Sequence, residues 1–218
     1  MRDTNRPEAN HLLAILPTEE FERLLPNLEL ISLSAGQVLV ESGQKLRYAY
    51  FPTSAIISMQ SMMKNGDLTE VAVVGCDGVV GISLCLGDDK MATSTVVQVA
   101  GHAYRLSSTH LEIEFDRHGS TMRILLRYAQ TVVTQIAQTA VCNRHHRLNQ
   151  QLCRWLLLRL NLCATNSLPV THALIAHTLG VRREGISSEA GKLQASGLIR
   201  YTRGKLQVLN QAALENLA

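Results

Sequence analysis

The stretch THALIAHTLGVRREGISSEAGKLQASGLIRYTRGKLQV, residues 171–208, decides the reading of this chain. Pro169 punctuates the sequence just before it, and Thr171 has the side chain and the place of an N-cap. Gly180 is free to take the left-handed turn conformation, so the pattern is a helix, a tight turn and a second helix that opens with Arg182 and Arg183. Ala176 is small where two crossing helices must approach closely. Ile186, Ala190 and Leu193 share one face of the second helix and are its expected buried side. Arg182, Arg183, Glu184, Ser187 and Ser188 are polar at its start, where a recognition helix would meet base edges. Gly185 and Gly191 are unusual inside a helix, each costing about 1 kcal/mol relative to Ala. Gly185 permits either close approach to DNA or tight internal packing. From Leu198 to Val208 the chain reads as a hairpin with a basic tip, Arg203-Gly204-Lys205, a wing beside the helix pair.

The charge distribution points the same way. Residues 1–141 hold 11 Lys and Arg against 15 Asp and Glu, a net of −4, whereas residues 142–218 hold 10 against 3, a net of +7. A small basic part beside a mildly acidic one suits a nucleic-acid reader attached to another domain. The whole chain has 218 residues, 46% hydrophobic and 18% charged, which excludes a disordered tail protein and is enough to bury a real core. No apolar run approaches the ~18–20 residues of a bilayer span. Met1 to Pro7 carries charges with no apolar core behind them, unlike a secretory signal. Five Cys, an odd number without dense spacing, do not form a disulfide framework. The expectation is a reduced, cytoplasmic protein with no membrane association.

Upstream the pattern changes. His11 to Leu16 and Glu19 to Leu25 read as short helices, the second with Thr18 as N-cap. From Leu28 to about Leu106 short β-like runs alternate with Gly, Asp and Asn, among them 37–40, 55–59, 69–74 and 95–99. Asn65-Gly66 is a hairpin turn signal. Many short strands at such spacing predict a barrel or double-sheet roll. From Gly119 to Cys142 the residues Met122, Leu126, Ala129, Val133, Ile136, Ala140 and Asn143 recur at spacings of four and three, a heptad seam suited to a second copy of the same helix, the alternative being a stripe packed on the chain's own roll. Leu125 and Val132 widen the stripe, so that one face can meet the roll while the other meets a partner. Asn149 to Leu162 is a further amphipathic helix, with Leu152, Trp155, Leu156 and Arg159 at helical spacing. The expected class is α+β: an N-terminal jelly-roll-like double-stranded β-helix (1–118), a long dimerisation helix (119–143) and a C-terminal winged helix-turn-helix (144–218).

This order resembles the Crp/Fnr family of bacterial transcription regulators, over nearly the whole chain from Leu12 to Val208. The N-terminal markers are Leu33-Ser34-Ala35-Gly36 with Leu39 and Gly43, Tyr50-Phe51-Pro52, and Gly75-Cys76-Asp77-Gly78-Val79-Val80-Gly81; the specific part is Thr171 to Ile199. The resemblance implies a homodimeric regulator on near-palindromic double-stranded DNA, with RNA polymerase a candidate third partner. Cyclic-AMP-responsive members open their recognition helix with an Arg-Glu pair and place another Arg one turn on. Here the pair falls on Arg183 and Glu184, while the third position is Ser188, which shortens the reach and shifts the preferred half-site. Arg183, Glu184, Ser187 and Ser188 are thus the expected base readers, Arg183 toward guanine N7 and O6 and Glu184 toward a cytosine amine. Thr171, Arg182, Lys192, Arg200, Arg203 and Lys205 are the expected phosphate contacts.

The effector pocket departs from that pattern. Cyclic-nucleotide binders hold the ribose with a Glu after a Gly and the phosphate with an Arg before Ser or Thr. In this chain Ile82 and Ser83 follow Gly81, and no Arg occurs between Lys90 and Arg105, so cyclic AMP is disfavoured, no cofactor is expected and the effector is unnamed. Oxygen-sensing relatives use an N-terminal cysteine group for an iron–sulfur cluster; the first Cys here is Cys76. Cys142, His145, His146 and Cys153 have metal-binding chemistry, although a solvated helix end explains them equally, and no metal site is assigned. Cys76 and Cys85 would be redox-active only if exposed with a lowered pKa. No phosphate-cradling loop, metalloprotease helix or nucleophile elbow is present, so an enzyme is not expected. The competing classes are a ligand- or protein-binding interaction module and a thiol- or metal-dependent sensor.

Overall fold

Short runs of Val, Ile, Thr and Tyr between turn residues pair into sheets because alternate side chains can then be buried on one face. The computed structural model describes residues 4–62, 68–87, 90–162 and 166–218. In chain order its elements are α1 (His11–Ala14), α2 (Thr18–Leu24), β1 (Glu29–Leu33), β2 (Val38–Val40), β3 (Tyr48–Pro52), β4 (Ile56–Met62), β5 (Leu68–Val74), β6 (Ser94–Val99) and β7 (Gly101–Ser107). They continue with α3 (Ser108–Phe115), α4 (Ser120–His145), α5 (Leu148–Leu162), β8 (Ser167–Pro169), α6 (His172–Leu179), α7 (Arg183–Ala195), β9 (Ile199–Thr202), β10 (Lys205–Val208) and α8 (Gln211–Glu215). The chain divides into two units, Met1–Ser61 with Ala72–Ile136, and Met62–Val71 with Ala137–Ala218. Among the described residues no helix is long and apolar enough to cross a membrane.

The first unit is built on two antiparallel sheets, one in the order β1-β7-β3 and one in the order β2-β6-β4-β5. Central β7 pairs Tyr104 with Leu30 on one side and with Phe51 on the other. Its cores hold Ala49, Phe51, Leu106, Leu111 and Leu125, and Leu33, Ala55, Ile57, Val74, Val97 and Ala103. The double-sheet expectation is met. The Asn65-Gly66 turn lies outside the described residues.

Two polar side chains that periodicity does not reveal fasten this unit. Asn10 is fully buried; its Oδ1 accepts from the Leu12 and Leu13 N–H groups at the start of α1, and its amide donates to the carbonyls of Pro52 and Gly78. Thr18, in contrast, does not cap α2. Pro17 occupies the cap position in an extended conformation, and its carbonyl accepts from Phe21 N–H. Thr18 is already the first helical residue, and no side chain caps this helix among the described residues. The first turn of α4 is instead served from α2: Glu20 accepts from Ser120 N–H at 3.0 Å, from Thr121 N–H at 2.6 Å and from the Thr121 hydroxyl. A carboxylate at the positive end of a 26-residue helix satisfies orphan donors and complements the helix dipole.

The second unit packs Leu152, Trp155 and Leu156 of α5 against Ile175 and Ala176 of α6, Ile186, Ala190 and Leu193 of α7, and Ile199, Leu206 and Val208 of the sheet. That sheet has the order β8-β10-β9, with Leu206 opposite Leu168 and Tyr201. Strand β8 is three residues ending in Pro169, and α8 contributes buried Leu214; neither is long enough to show a period in the sequence.

The Thr121 hydroxyl, followed by the two backbone donors, holds the Glu20 carboxyl below its ordinary 4.5. A carboxylate with a lowered folded-state pKa contributes stability above its unfolded value and loses it as pH falls through the folded one. Glu20→Gln is therefore expected to lower urea-unfolding stability at neutral pH and to flatten the loss of stability below pH 4.5. Equal acid sensitivity in both proteins would contradict this role.

Candidate nucleic-acid interface

Helix α6 begins where Thr171 Oγ1 accepts from Leu174 N–H at 3.1 Å. It ends at Gly180, whose φ of 66° is the left-handed value that only glycine takes at little cost. Val181 N–H then donates back to the Ala176 carbonyl at 2.9 Å, closing the turn between the helices. Arg182 is the cap residue of α7 and Arg183 its first helical residue. The buried face of α7 consists of Ile186, Ala190 and Leu193, as its spacing predicts. Arg183, Glu184, Ser187 and Ser188 are all exposed near its start. At Gly185 an added Cβ would come within 2.9 Å of Leu148 Cδ2, so internal packing supplies one reason for glycine at this position.

The wing is β9, a turn and β10, with Lys205 paired to Thr202. Arg203 and Gly204 at the tip both have positive φ, 49° and 79°, the mirror-image turn that matches strand twist. Exposed Arg200, Arg203 and Lys205 line an open groove of about 600 Å³ with Asn166, Ser167, Thr202 and Gln207, a lining with three cations and no carboxylate. Lys192 is exposed on α7 and paired to Glu189 at 2.7 Å. A lining of this charge attracts anions.

Residues 150–217 match the Crp-like helix-turn-helix domain family. The C-terminal segment is a Crp-like helix-turn-helix domain. The chain as a whole has the fold of Crp/Fnr transcription regulators. It superposes on FixK2 from Bradyrhizobium japonicum with a TM-score of 0.76 at 13% identity, covering 87% of this chain and 96% of that one. It superposes on TTHB099, a transcriptional regulator of the CRP family from Thermus thermophilus, with a TM-score of 0.70 at 16% identity, covering 86% and 95%. The c-di-GMP-responsive global regulator CLP of Xanthomonas campestris gives 0.68 at 15%, covering 89% and 100%. Comparison of the sequence with curated proteins finds no match.

Within the Crp-like domain, His172 joins the parts in a way the sequence did not disclose. Its ring stacks on Tyr201 of the wing with centroids 4.3 Å apart, and its Nδ1 lies 3.0 Å from Ser187 Oγ on α7. Tyr201 N–H also donates to Gln194 Oε1 at 2.7 Å, a second tie between wing and recognition helix. Ser187 therefore presents a hydroxyl that is already oriented by its neighbour. His172 Nε2 has no hydrogen-bond partner among the described residues. No local pattern marks the trio, because its members come from three different elements.

The cysteine and histidine cluster of the sequence does not assemble. Cys142 and Cys153 are buried, while His145 is exposed. Burial pushes the Cys153 thiol up to about 11, and Cys142 Sγ accepts from the Gln138 amide. Burial likewise raises Cys85 to about 12, opposite to the direction that makes a thiol reactive. Among the described residues no group of three or more His, Cys, Asp or Glu is arranged to hold a metal.

Burial, and then the charge of Arg183, keep the His172 imidazole below its ordinary 6.5. The unfolded chain then binds the proton more readily, so stability falls as pH drops through 6.5 toward the folded value. Urea unfolding at about pH 7.5 and about pH 5.5 is expected to show a smaller difference for His172→Gln than for the parent protein. An unchanged difference would mean that His172 does not titrate against this surface.

Proposed function

We propose that the chain is a sequence-specific DNA-binding transcription regulator that acts in the cytoplasm as a homodimer on near-palindromic sites and is not an enzyme. The observation that carries this reading is the opposed pair of faces on α7. Ile186, Ala190 and Leu193 are buried, while Arg183, Glu184, Ser187 and Ser188 stand exposed near the start of the helix. In this reading Arg183 donates two hydrogen bonds to guanine and Glu184 accepts from cytosine, with Ser187 and Ser188 on neighbouring edges. Thr171, Arg182, Lys192, Arg200, Arg203 and Lys205 contact phosphates and set register.

The dimer reading is supported by α4, where Leu126, Val133 and Ile136 are 42%, 59% and 38% exposed while Leu125 and Tyr128 of the same helix are buried. Met122, Ala129 and Ala140 complete the stripe. Large apolar side chains in a heptad row on a helix surface suit a second copy of that helix. Two copies would set their readers about 34 Å apart, in successive major grooves. Cyclic AMP is not the expected effector: Ile82 and Ser83 stand where the ribose-binding carboxylate would be, and no arginine follows Lys90 before Arg105.

Selection from a random DNA pool at two salt concentrations tests the function. The expected product is a two-fold-symmetric site bound more weakly at higher salt; absence of salt-dependent binding at any concentration would refute the reading. On the selected site, Arg183→Ala is expected to lose about 1–3 kcal/mol of discrimination at one base pair. Lys205→Ala is expected to weaken all sequences alike and to reduce the salt slope by about one. Uniform weakening by Arg183→Ala would reassign that residue to phosphate.

A further inference from the structure

Arg159, in the last turn of α5, is the largest fully buried side chain among the described residues. A guanidinium stays charged at any biological pH, so a position among Leu152, Trp155 and Leu156 demands an anion and full use of its donors. Glu70, in the Met62–Val71 segment that belongs to the same unit, provides the anion. Arg159 Nη2 lies 2.6 Å from each oxygen of that carboxylate, and Nη1 donates to the Trp155 carbonyl at 3.3 Å. The guanidinium also sits 3.6 Å above the centroid of the Trp155 ring. Trp155 in turn donates its indole N–H to Thr178 Oγ1 at 2.8 Å, and the Thr178 hydroxyl donates to the Ile175 carbonyl within α6. The neighbour of Glu70, Thr69, places its hydroxyl 3.1 Å from the point where a Cβ on Gly180 would sit. Thr69 and Glu70, consecutive residues of the Met62–Val71 segment, thus reach the helix pair of their own unit, one at its turn and one through Arg159 and Trp155 at the last turn of α6.

We propose that Glu70 is a positioning residue of the Crp-like domain. Its carboxylate holds Arg159 flat against Trp155, and Trp155 against Thr178, which fixes where α6 ends and the direction in which α7 leaves Gly180. An apolar pair would fill the same space with equal or better stability, but only a stacked guanidinium, with Nη2 held by both Glu70 oxygens and Nη1 by the Trp155 carbonyl, defines a single orientation for the indole. The proposal rests on the DNA-reading function argued above and assigns to Glu70 an effect on selectivity that stability alone does not produce.

The test uses the full chain, its selected DNA site, an unrelated duplex of equal length, and thermal unfolding. Glu70→Gln keeps the side chain's shape and removes its charge. It is expected to lower the ratio of specific to non-specific affinity about tenfold, with non-specific binding and its salt slope unchanged. The double variant Glu70→Leu with Arg159→Met replaces the ion pair by apolar packing. It is expected to recover the parent Tm while the specificity ratio stays low, and it carries the test if the single variant does not fold. Recovery of both Tm and specificity in the double variant would make the pair merely structural and overturn the proposal. An unchanged ratio in Glu70→Gln would overturn it as well. A parent protein that selects no site would instead bring down the DNA-reading function, and this role with it.

Discussion

The burial of Ile186, Ala190 and Leu193 is the constraint on which the reader depends. A helix that hides one stripe presents the opposite one, and on α7 that opposite stripe carries Arg183, Glu184, Ser187 and Ser188 near the start. The stripe can be hidden only if α6 stops in time for α7 to cross it, and the left-handed backbone at Gly180 makes that stop. Ala176 is buried in the same core, and Gly185 lets the start of α7 come close to Leu148 of α5. Packing, turn and presentation are therefore one requirement seen at three scales.

Polar contacts then fix what the apolar core leaves free. Hydrophobic burial is nearly indifferent to small rotations of a helix, whereas a hydrogen bond is directional. The His172–Tyr201 stack and the Gln194–Tyr201 bond tie the wing to α7, and the Trp155–Thr178 bond ties α5 to α6. Each of these joins two elements whose mutual angle affects where cations would meet a nucleic-acid backbone. In the first unit Asn10 and Glu20 do the same for the short N-terminal helices, reaching Pro52, Gly78 and the start of α4.

What was legible in the sequence was what repeats. Alternation in 69–74 and 95–99 disclosed strands, the four-three spacing from Met122 to Asn143 disclosed a helix that the structure extends to His145, and Gly180 between two apolar stripes disclosed the turn. What was not legible was single and distant. Asn10, Glu20 and His172 each act on partners far along the chain, and one residue has no period. Arg159 was visible as a member of an amphipathic helix, but only the tertiary structure puts it in the core opposite Glu70. Thr18 misled for a related reason: Pro17 and Thr18 both suit a helix start, and a one-residue difference decides whether a hydroxyl caps or merely decorates. Strand β8 escaped because three residues around Pro169 carry no pattern, although they complete the sheet that supports the wing.

The Glu20 clasp has a bearing on the order of assembly. Glu20 and Ser120 are 100 residues apart in the chain, and both sheets are synthesised between them. Closing so long a loop is costly in chain entropy, and contacts of that separation form late. The start of α4 is therefore secured only once the strands between have condensed and brought α2 back to meet it. The apolar row of Leu126, Val133 and Ile136 follows on the same helix, so its base is fixed by a contact that spans the whole sheet region of the chain. The clasp thus ties the base of that row to α2, a helix that lies on the far side of the sheets in the chain.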